Sequence, residues 1–306
     1  MVYCFLPIII YKVLKPKDSS KKTTACFLPI IIYKVLKPTI SSRLASACFL
    51  PIIIYKVLKR LWCTAIRVRG TEHLTFSRCR FRHLASTGLD YEWAVSSSGI
   101  ENCVFSDIGG TGILIGAFPD GGFETHVPFI PPEERNLCTD INIKNNLITD
   151  VTNEDWGCVG IGAGYVSGID ISHNEVCHLN YSGICVGWGW TSLESGMKNN
   201  RIEANYVHHF ARRLYDAGGL YTLSNQPGSV MRNNRIEHLE EASYATNDRA
   251  FYIYLDEATD GYTIENNWCP TERFDSNRPG NRNVWKNNGP QVTESIKNKA
   301  GRIKPE

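Results

Sequence analysis

Along most of the chain, apolar and polar residues alternate in short runs, and the runs recur around one fixed pattern. An apolar residue is followed, three positions on, by Asn or Cys, and two positions later by another apolar residue. The centres are Cys79, Cys103, Asn146, Asn174, Asn205, Asn234 and Asn267. Ahead of them stand Phe76, Ile100, Ile143, Ile171, Ile202, Met231 and Ile264, and behind them Phe81, Phe105, Ile148, Val176, Val207, Ile236 and Cys269. Successive centres lie 24 to 43 residues apart. A unit recurring at that length is the signature of a solenoid.

The runs have period two and are bounded by Gly, Asn and Asp, so they predict strands rather than helices. Each unit also carries a Gly-apolar step (Gly88-Leu89, Gly112-Ile113, Gly160-Ile161, Gly183-Ile184, Gly219-Leu220). A further apolar anchor lies between, at Leu84, Ile108, Val151, Leu179, Phe210 or Leu239. Three short strands per turn with tight corners predict an all-β fold, a right-handed parallel β-helix of roughly seven to nine coils. It is expected over residues 61–290, with a C-terminal tail at 291–306. Like positions then stack at about 4.8 Å. The inward Ile, Leu, Val and Phe form columns, and the Asn column forms a ladder at one corner, where Asn tolerates the turn conformation. The uneven steps predict loops of different length, the longest from about Phe118 to Leu137.

The first sixty residues break the pattern. CFLPIIIYKVLK at 4–15 recurs letter for letter at 26–37 and 48–59. Identity without drift points to recent tandem duplication, so residues 1–60 read as not native to the solenoid and as a makeshift cap over its first coil. The apolar runs are far shorter than the ~20 residues that span a bilayer. No basic region precedes the first of them, and a faint lipoprotein-like LASAC at 44–48 lies too far in for a leader.

Composition narrows the function. The 306 residues are enough for a sizeable core. A net charge of +2 with both signs mixed argues against a phosphate-binding surface, so no nucleic-acid partner is expected. Seven Trp and fourteen Tyr, several in polar, Gly-rich stretches, suit a sugar, with its apolar faces and hydrogen-bonding edges. Eleven Cys cannot all pair, and most read as small buried residues. No metal-type Cys spacing appears, and His208 and His209 adjoin without Cys partners in sequence, so neither metal nor cofactor is expected.

The densest polar-aromatic stretch runs from Asp155 to Glu257. Asp216 precedes small residues that leave room before its carboxylate; equally, it reads as a turn aspartate bonding its own backbone. In the run 251–257, Phe251, Ile253 and Leu255 share the inward parity, while Tyr252, Tyr254 and Asp256 share the outward one. Glu257 begins the corner, and both acids also read as turn residues. Counting back from Asn234 and Asn267 sets Leu220 level with Ile253 and Tyr221 level with Tyr254. The two acidic sites therefore fall on adjacent coils, displaced along them, and a pair of carboxylates within about 5–10 Å would fit glycoside hydrolysis. One of His208 and His209 points outward, to hydrogen-bond a substrate or to pack. Trp188 and Trp190 form a sugar platform or pack a corner. Arg212 and Arg213 are placed to neutralise Asp216 or to bind an acidic sugar.

The strings YSGICVGWGW, DAGGLYTLSNQPGS and YIYLDEAT, with the closing WKNNGPQV and IKNKAG, resemble glycoside hydrolase family 141 over about residues 62–303. That family includes α-L-fucosidase and xylanase activities on plant cell-wall polysaccharides. Asp216, Gly218, Gly219, Tyr221, Thr222, Leu223, Gln226, Pro227 and Gly228 match its D-G-G-I-Y-T-L-G-x-Q-P-G segment; Tyr254, Asp256 and Glu257 match its Y-x-D-E-G segment. The resemblance implies a catalytic carboxylate at Asp216 and another in the Asp256–Glu257 step, with parity favouring Asp256. The expected substrate contacts are Tyr181, Trp188, Trp190, His208, His209, Tyr221, Gln226 and Tyr254. Ala217 and Ala258 depart from the family glycines. Family members are much longer at the amino end and typically secreted or periplasmic, so this chain reads as truncated there. The functional expectation is a monomeric β-helix acting on an oligosaccharide or polysaccharide. The alternative is a non-catalytic carbohydrate-binding or truncated inactive solenoid. A lyase ranks below both, because no tight acidic cluster with a neighbouring basic pair is visible.

Overall fold

The computed structural model describes residues 8–11, 64–118, 136–243 and 249–303. Most of the triplicated segment and most of the 118–137 loop lie outside these. Among the described residues, strands dominate, and the helix Glu294–Lys299 follows the last of them. The strands pair in parallel, each with its counterpart one unit away, so the chain is a parallel β-helix.

Three columns of inward side chains define three walls. On the first, Ile66, Leu89, Ile113, Ile161, Ile184, Leu220, Ile253 and Phe274 stand in consecutive register, one per coil, for eight coils. On the second, the sequence positions Phe76, Ile100, Ile143, Ile171, Ile202, Met231 and Ile264 stack in order and end on Trp285. On the third, Phe81, Phe105, Ile148, Val176, Val207 and Ile236 do the same. The rings of Phe81 and Phe105 stack at 4.5 Å and 1°, close to the coil spacing. Nearly all of these side chains are fully buried, in one continuous core.

The corner between the second and third walls explains the Asn pattern. The residue before each Asn or Cys of the pattern has φ between 49° and 58°, from Arg78 to Asn287. That left-handed turn swings the next side chain inward. Each buried Asn then donates its amide Nδ2 to the Oδ1 of the next: Asn146 to Asn174 at 2.9 Å, Asn174 to Asn205 at 3.0 Å, Asn205 to Asn234 at 3.0 Å. Asn234 and Asn267 extend the ladder to Asn288, both at 2.8 Å. Asn288 is an eighth rung, hidden in the sequence because Pro290 stands where the following apolar residue would be. In the first coils Cys103 replaces the amide, its backbone N donating to Asn146 Oδ1 at 2.8 Å.

The Gly-apolar steps mark a second corner where successive coils touch backbone to backbone. A Cβ at Gly183 would lie 2.4 Å from Gly219 O, and one at Gly112 would lie 2.8 Å from Gly160 O. At the amino end, the backbone of Ile8–Tyr11 pairs in parallel with Ile66–Arg69 on the first wall. At the other end the chain turns back along the Asn corner. Gly301 N donates to Ala204 O at 2.8 Å, and Ile303 N to Asn145 Oδ1 at 2.6 Å. The described cysteines are all free thiols. Among the described residues no helix is long and apolar enough to cross a membrane.

Candidate active site

Asp216 and Asp256 stand at opposite ends of neighbouring strands on the first wall. Ala217–Thr222 pairs with Ala250–Leu255, so Asp216 precedes the first strand and Asp256 follows the second. Asp216 has φ 59°, a conformation that aspartate tolerates, and this turns its side chain out of the wall. The space between the acids is filled by Tyr221 and Tyr254, level with each other and in edge-to-face contact at 5.3 Å. The Tyr221 hydroxyl donates to Asp256 Oδ2, and Asn277 Nδ2 donates to Asp256 Oδ1 at 2.9 Å. Tyr254 hydrogen-bonds the Asp216 carboxyl, and the Tyr181 hydroxyl donates to the Asp216 backbone O at 2.8 Å. Each acid is thus held by one tyrosine, and the two tyrosines meet ring to ring.

The acids are not in equivalent surroundings. Burial raises the Asp216 carboxyl above its ordinary range, and the nearby charge of Asp256 raises it further; Arg249 and the Tyr254 hydrogen bond act against this. The Arg249 guanidinium stops 4.0 Å from Asp216 Oδ1, which has no hydrogen-bond partner. Asp256 is only 7% exposed, and both its oxygens accept. Burial raises Tyr221, Tyr254 and Tyr181 too, with the Asp256 charge contributing at each, so all three hydroxyls stay protonated as donors.

Other expected residues fall elsewhere. Glu257 turns to Arg278, 3.3 Å away. Tyr254 is 1% exposed and so positions Asp216 rather than meeting a ligand. The outward parity from 252 to 256 does not hold throughout: Phe251 lies on the outer side against Tyr254, and Tyr252 leans on Phe210. Gln226 is fully buried. Its amide donates to Val186 O and Leu223 O and accepts from Asn200 and the Tyr262 hydroxyl, leaving nothing for a substrate. Trp188 and Trp190 contact each other edge to face at 4.6 Å. Trp188 also meets Phe118 and packs on the small cluster of Leu137, Tyr165 and Met197, which is corner packing. Arg212 pairs with Glu240, and Arg213 lies over the Trp156 ring at 4.8 Å, so Arg249 takes the place expected of them.

His208 and His209 belong to the third wall, not to the acids' wall. His209 lies in a stack of imidazoles, 4.8 Å from His178 and 4.6 Å from His238. Contrary to the sequence spacing, His208 does have a Cys beside it. Cys177, one coil away, stands level with it.

Three residues escaped sequence reasoning. Asp275 stands level with Tyr254 on the next coil, Asn277 holds Asp256, and Arg249 faces Asp216. The signal for Asp275 was its coil register, which needs the irregular strand Phe274–Ser276 to be recognised first.

The geometry defines a parallel β-helix whose first wall carries two carboxylates, each hydrogen-bonded by its own tyrosine. A solved structure named "Glycoside hydrolase" shares this fold: it is 44% identical over 78% of this chain, with a TM-score of 0.77. The chain spans 40% of that protein's length. The fold is thus glycoside hydrolase-like. No protein-family model matches the chain, and no curated protein matches it.

Proposed function

We propose that the chain is a glycoside hydrolase of the family 141 type, acting on plant cell-wall polysaccharide through Asp216 and Asp256. Asp216 is the general acid and Asp256 the carboxylate that acts as base or nucleophile. The observation that carries this reading is the asymmetry of the pair. One carboxyl is raised by burial and by its neighbour's charge, and the other accepts two hydrogen bonds. A carboxyl raised in this way is suited to give a proton, which assigns Asp216 the acid's role. The 44% identity to a protein named glycoside hydrolase supports the same reading. Tyr181, Tyr221 and Phe251, all partly exposed beside the acids, offer the sugar-facing surface.

The test is turnover of a panel of fucosyl and xylosyl glycosides. Asp216→Asn and Asp256→Asn are each expected to lower kcat/KM by about 10²-fold or more. Wild-type rates in both variants overturn the assignment. The burial of Asp256 favours a second reading, a carbohydrate-binding solenoid without turnover. Calorimetric binding of a glycan that the wild-type chain does not hydrolyse selects it.

A further inference from the structure

A second cluster of chemically able side chains lies on the third wall, apart from the acids. Glu175–Leu179 runs beside Tyr206–Phe210 with Val176 level with Val207 and Cys177 level with His208. Both valines are fully buried in the core, so Glu175, Cys177 and His208 share the outer face. One potential ligand atom from each of these three residues lies within 4.8 Å of the others, and His208 Nε2 is 3.6 Å from Glu175 Oε1. In a tetrahedral zinc site, with Zn–S near 2.3 Å and Zn–N or Zn–O near 2.0–2.1 Å, such edges are about 3.3–3.7 Å. The nitrogen and oxygen already stand at that separation.

A separate observation points to a ligand. His208 is 8% exposed, and its buried Nε2 makes no hydrogen bond, with Glu175 Oε1 standing off at 3.6 Å. The ring cannot easily turn away. Tyr206 stacks on it at 4.2 Å, and its Nδ1 is 2.6 Å from His209 Nδ1. Burial lowers the His208 imidazole, but Cys177 and Glu175 outweigh it and raise the group, so a cation entering here displaces a proton from Nε2; with Nδ1–H donated to His209, the freed lone pair faces the acid and the thiol. An outer partner that fixes the tautomer in this way is the usual support of a metal-bound imidazole. Cys177 is a free thiol, 4% exposed. Glu175 is half-buried and leaves a way in from solvent.

We propose that Glu175, Cys177 and His208 form a binding site for zinc or a similar borderline divalent cation, with three protein ligands and a fourth position open to water. The mixed nitrogen, sulfur and oxygen set selects against magnesium and calcium. Cys177 coordinates as the thiolate and His208 through a deprotonated Nε2, so binding releases the proton of each to solvent. Arg302, on the returning tail, and His178 also act on Glu175 and oppose a cation, so the affinity falls below that of a closed four-ligand structural site.

Titrating the metal-free full-length chain with Co²⁺ tests this. A sulfur-to-cobalt charge-transfer band saturating at one ion per chain, and abolished by Zn²⁺, is expected. Cys177→Ser removes the band, and His208→Gln and Glu175→Gln each weaken Co²⁺ binding at least tenfold. Absence of the band in the wild type, its survival in Cys177→Ser, or unchanged affinity in His208→Gln overturns the site. Circular dichroism checks that Cys177→Ser and His208→Gln stay folded. If either unfolds, Glu175→Gln, at a half-buried position, decides alone: unchanged affinity there overturns the site. Asp216→Asn leaves the titration unaltered, so this inference and the glycosidase reading fail separately.

Discussion

Single side chains decide this protein where the backbone leaves them no alternative. Asn205 is one. Its Oδ1 accepts from both the backbone N and the Nδ2 of Asn174, at 3.0 Å each, and its own Nδ2 donates to Ile171 O and Asn234 Oδ1. Asn205→Ala orphans the buried backbone N–H of Asn174, while Asn174 Nδ2 keeps Ile143 O and Ser172 O. A loss of about 1–3 kcal/mol in urea unfolding is expected; a change below ~1 kcal/mol would mean that water replaces the amide. Asp90 is another. Burial first, then Glu92, raises its carboxyl from the ordinary 3.8 to about 7, and Arg67, 3.4 Å away, offsets only part of that. The folded chain therefore holds this proton more tightly than the unfolded chain does. The stability it contributes is full below about pH 4 and is lost as pH rises to about 7. Acids lowered by their partners, such as Glu175 and Glu237, slope the other way. The measurement is therefore the difference between wild type and Asp90→Asn in urea midpoint from pH 4 to 7. That difference should shift against the wild type as pH rises.

At the scale of the element, each strand is short and stable only because its neighbours repeat it. The Gly column shows how little slack the stacking allows. Gly183 sits where a methyl would meet Gly219 O at 2.4 Å and Val207 Cγ1 at 2.5 Å. Gly183→Ala must push two coils apart, and overpacking of that kind costs about 1–3 kcal/mol. Thermal unfolding should show it as a lowered Tm, whereas Gly157→Ala, with only a contact at 3.7 Å, should change little. Period two located these strands because an inward side chain recurs at every second residue along them. It misled at Phe251 and Tyr252, where parity alone sent one inward and the other outward. There Phe251 stands opposite Gly218, which brings no side chain to hold the pleat.

At the scale of the whole molecule, the open question is how a stack of strands ends. The coil after the triplicated segment presents Ile66–Glu72, and the backbone of Ile8–Tyr11 pairs along its beginning. An uncovered strand edge recruits other chains. Deleting residues 1–60 should therefore raise self-association, read by light scattering at matched concentration. Unchanged scattering would show that the first coil needs no cover. At the far end, the return of 300–303 along the Asn corner ties late residues to early coils, as Gly301 does to Ala204 and Ile303 to Asn145.

The sequence by itself determined the stack: the inward columns, the Asn ladder and the level setting of Tyr221 with Tyr254 are all local spacings, and a repeating backbone converts spacing directly into position. It also gave Asp216 and Asp256 as neighbours on adjacent coils. Only the tertiary structure decided which side chains meet across coils at unequal loop lengths. It withdrew Gln226 into a saturated buried network, sent Trp188 and Trp190 to a corner, and exchanged Arg212 and Arg213 for Arg249. It also set Cys177 beside His208. The physical reason is that contact across coils depends on register between strands about thirty residues apart, and the intervening loops, whose lengths follow no period, fix that register.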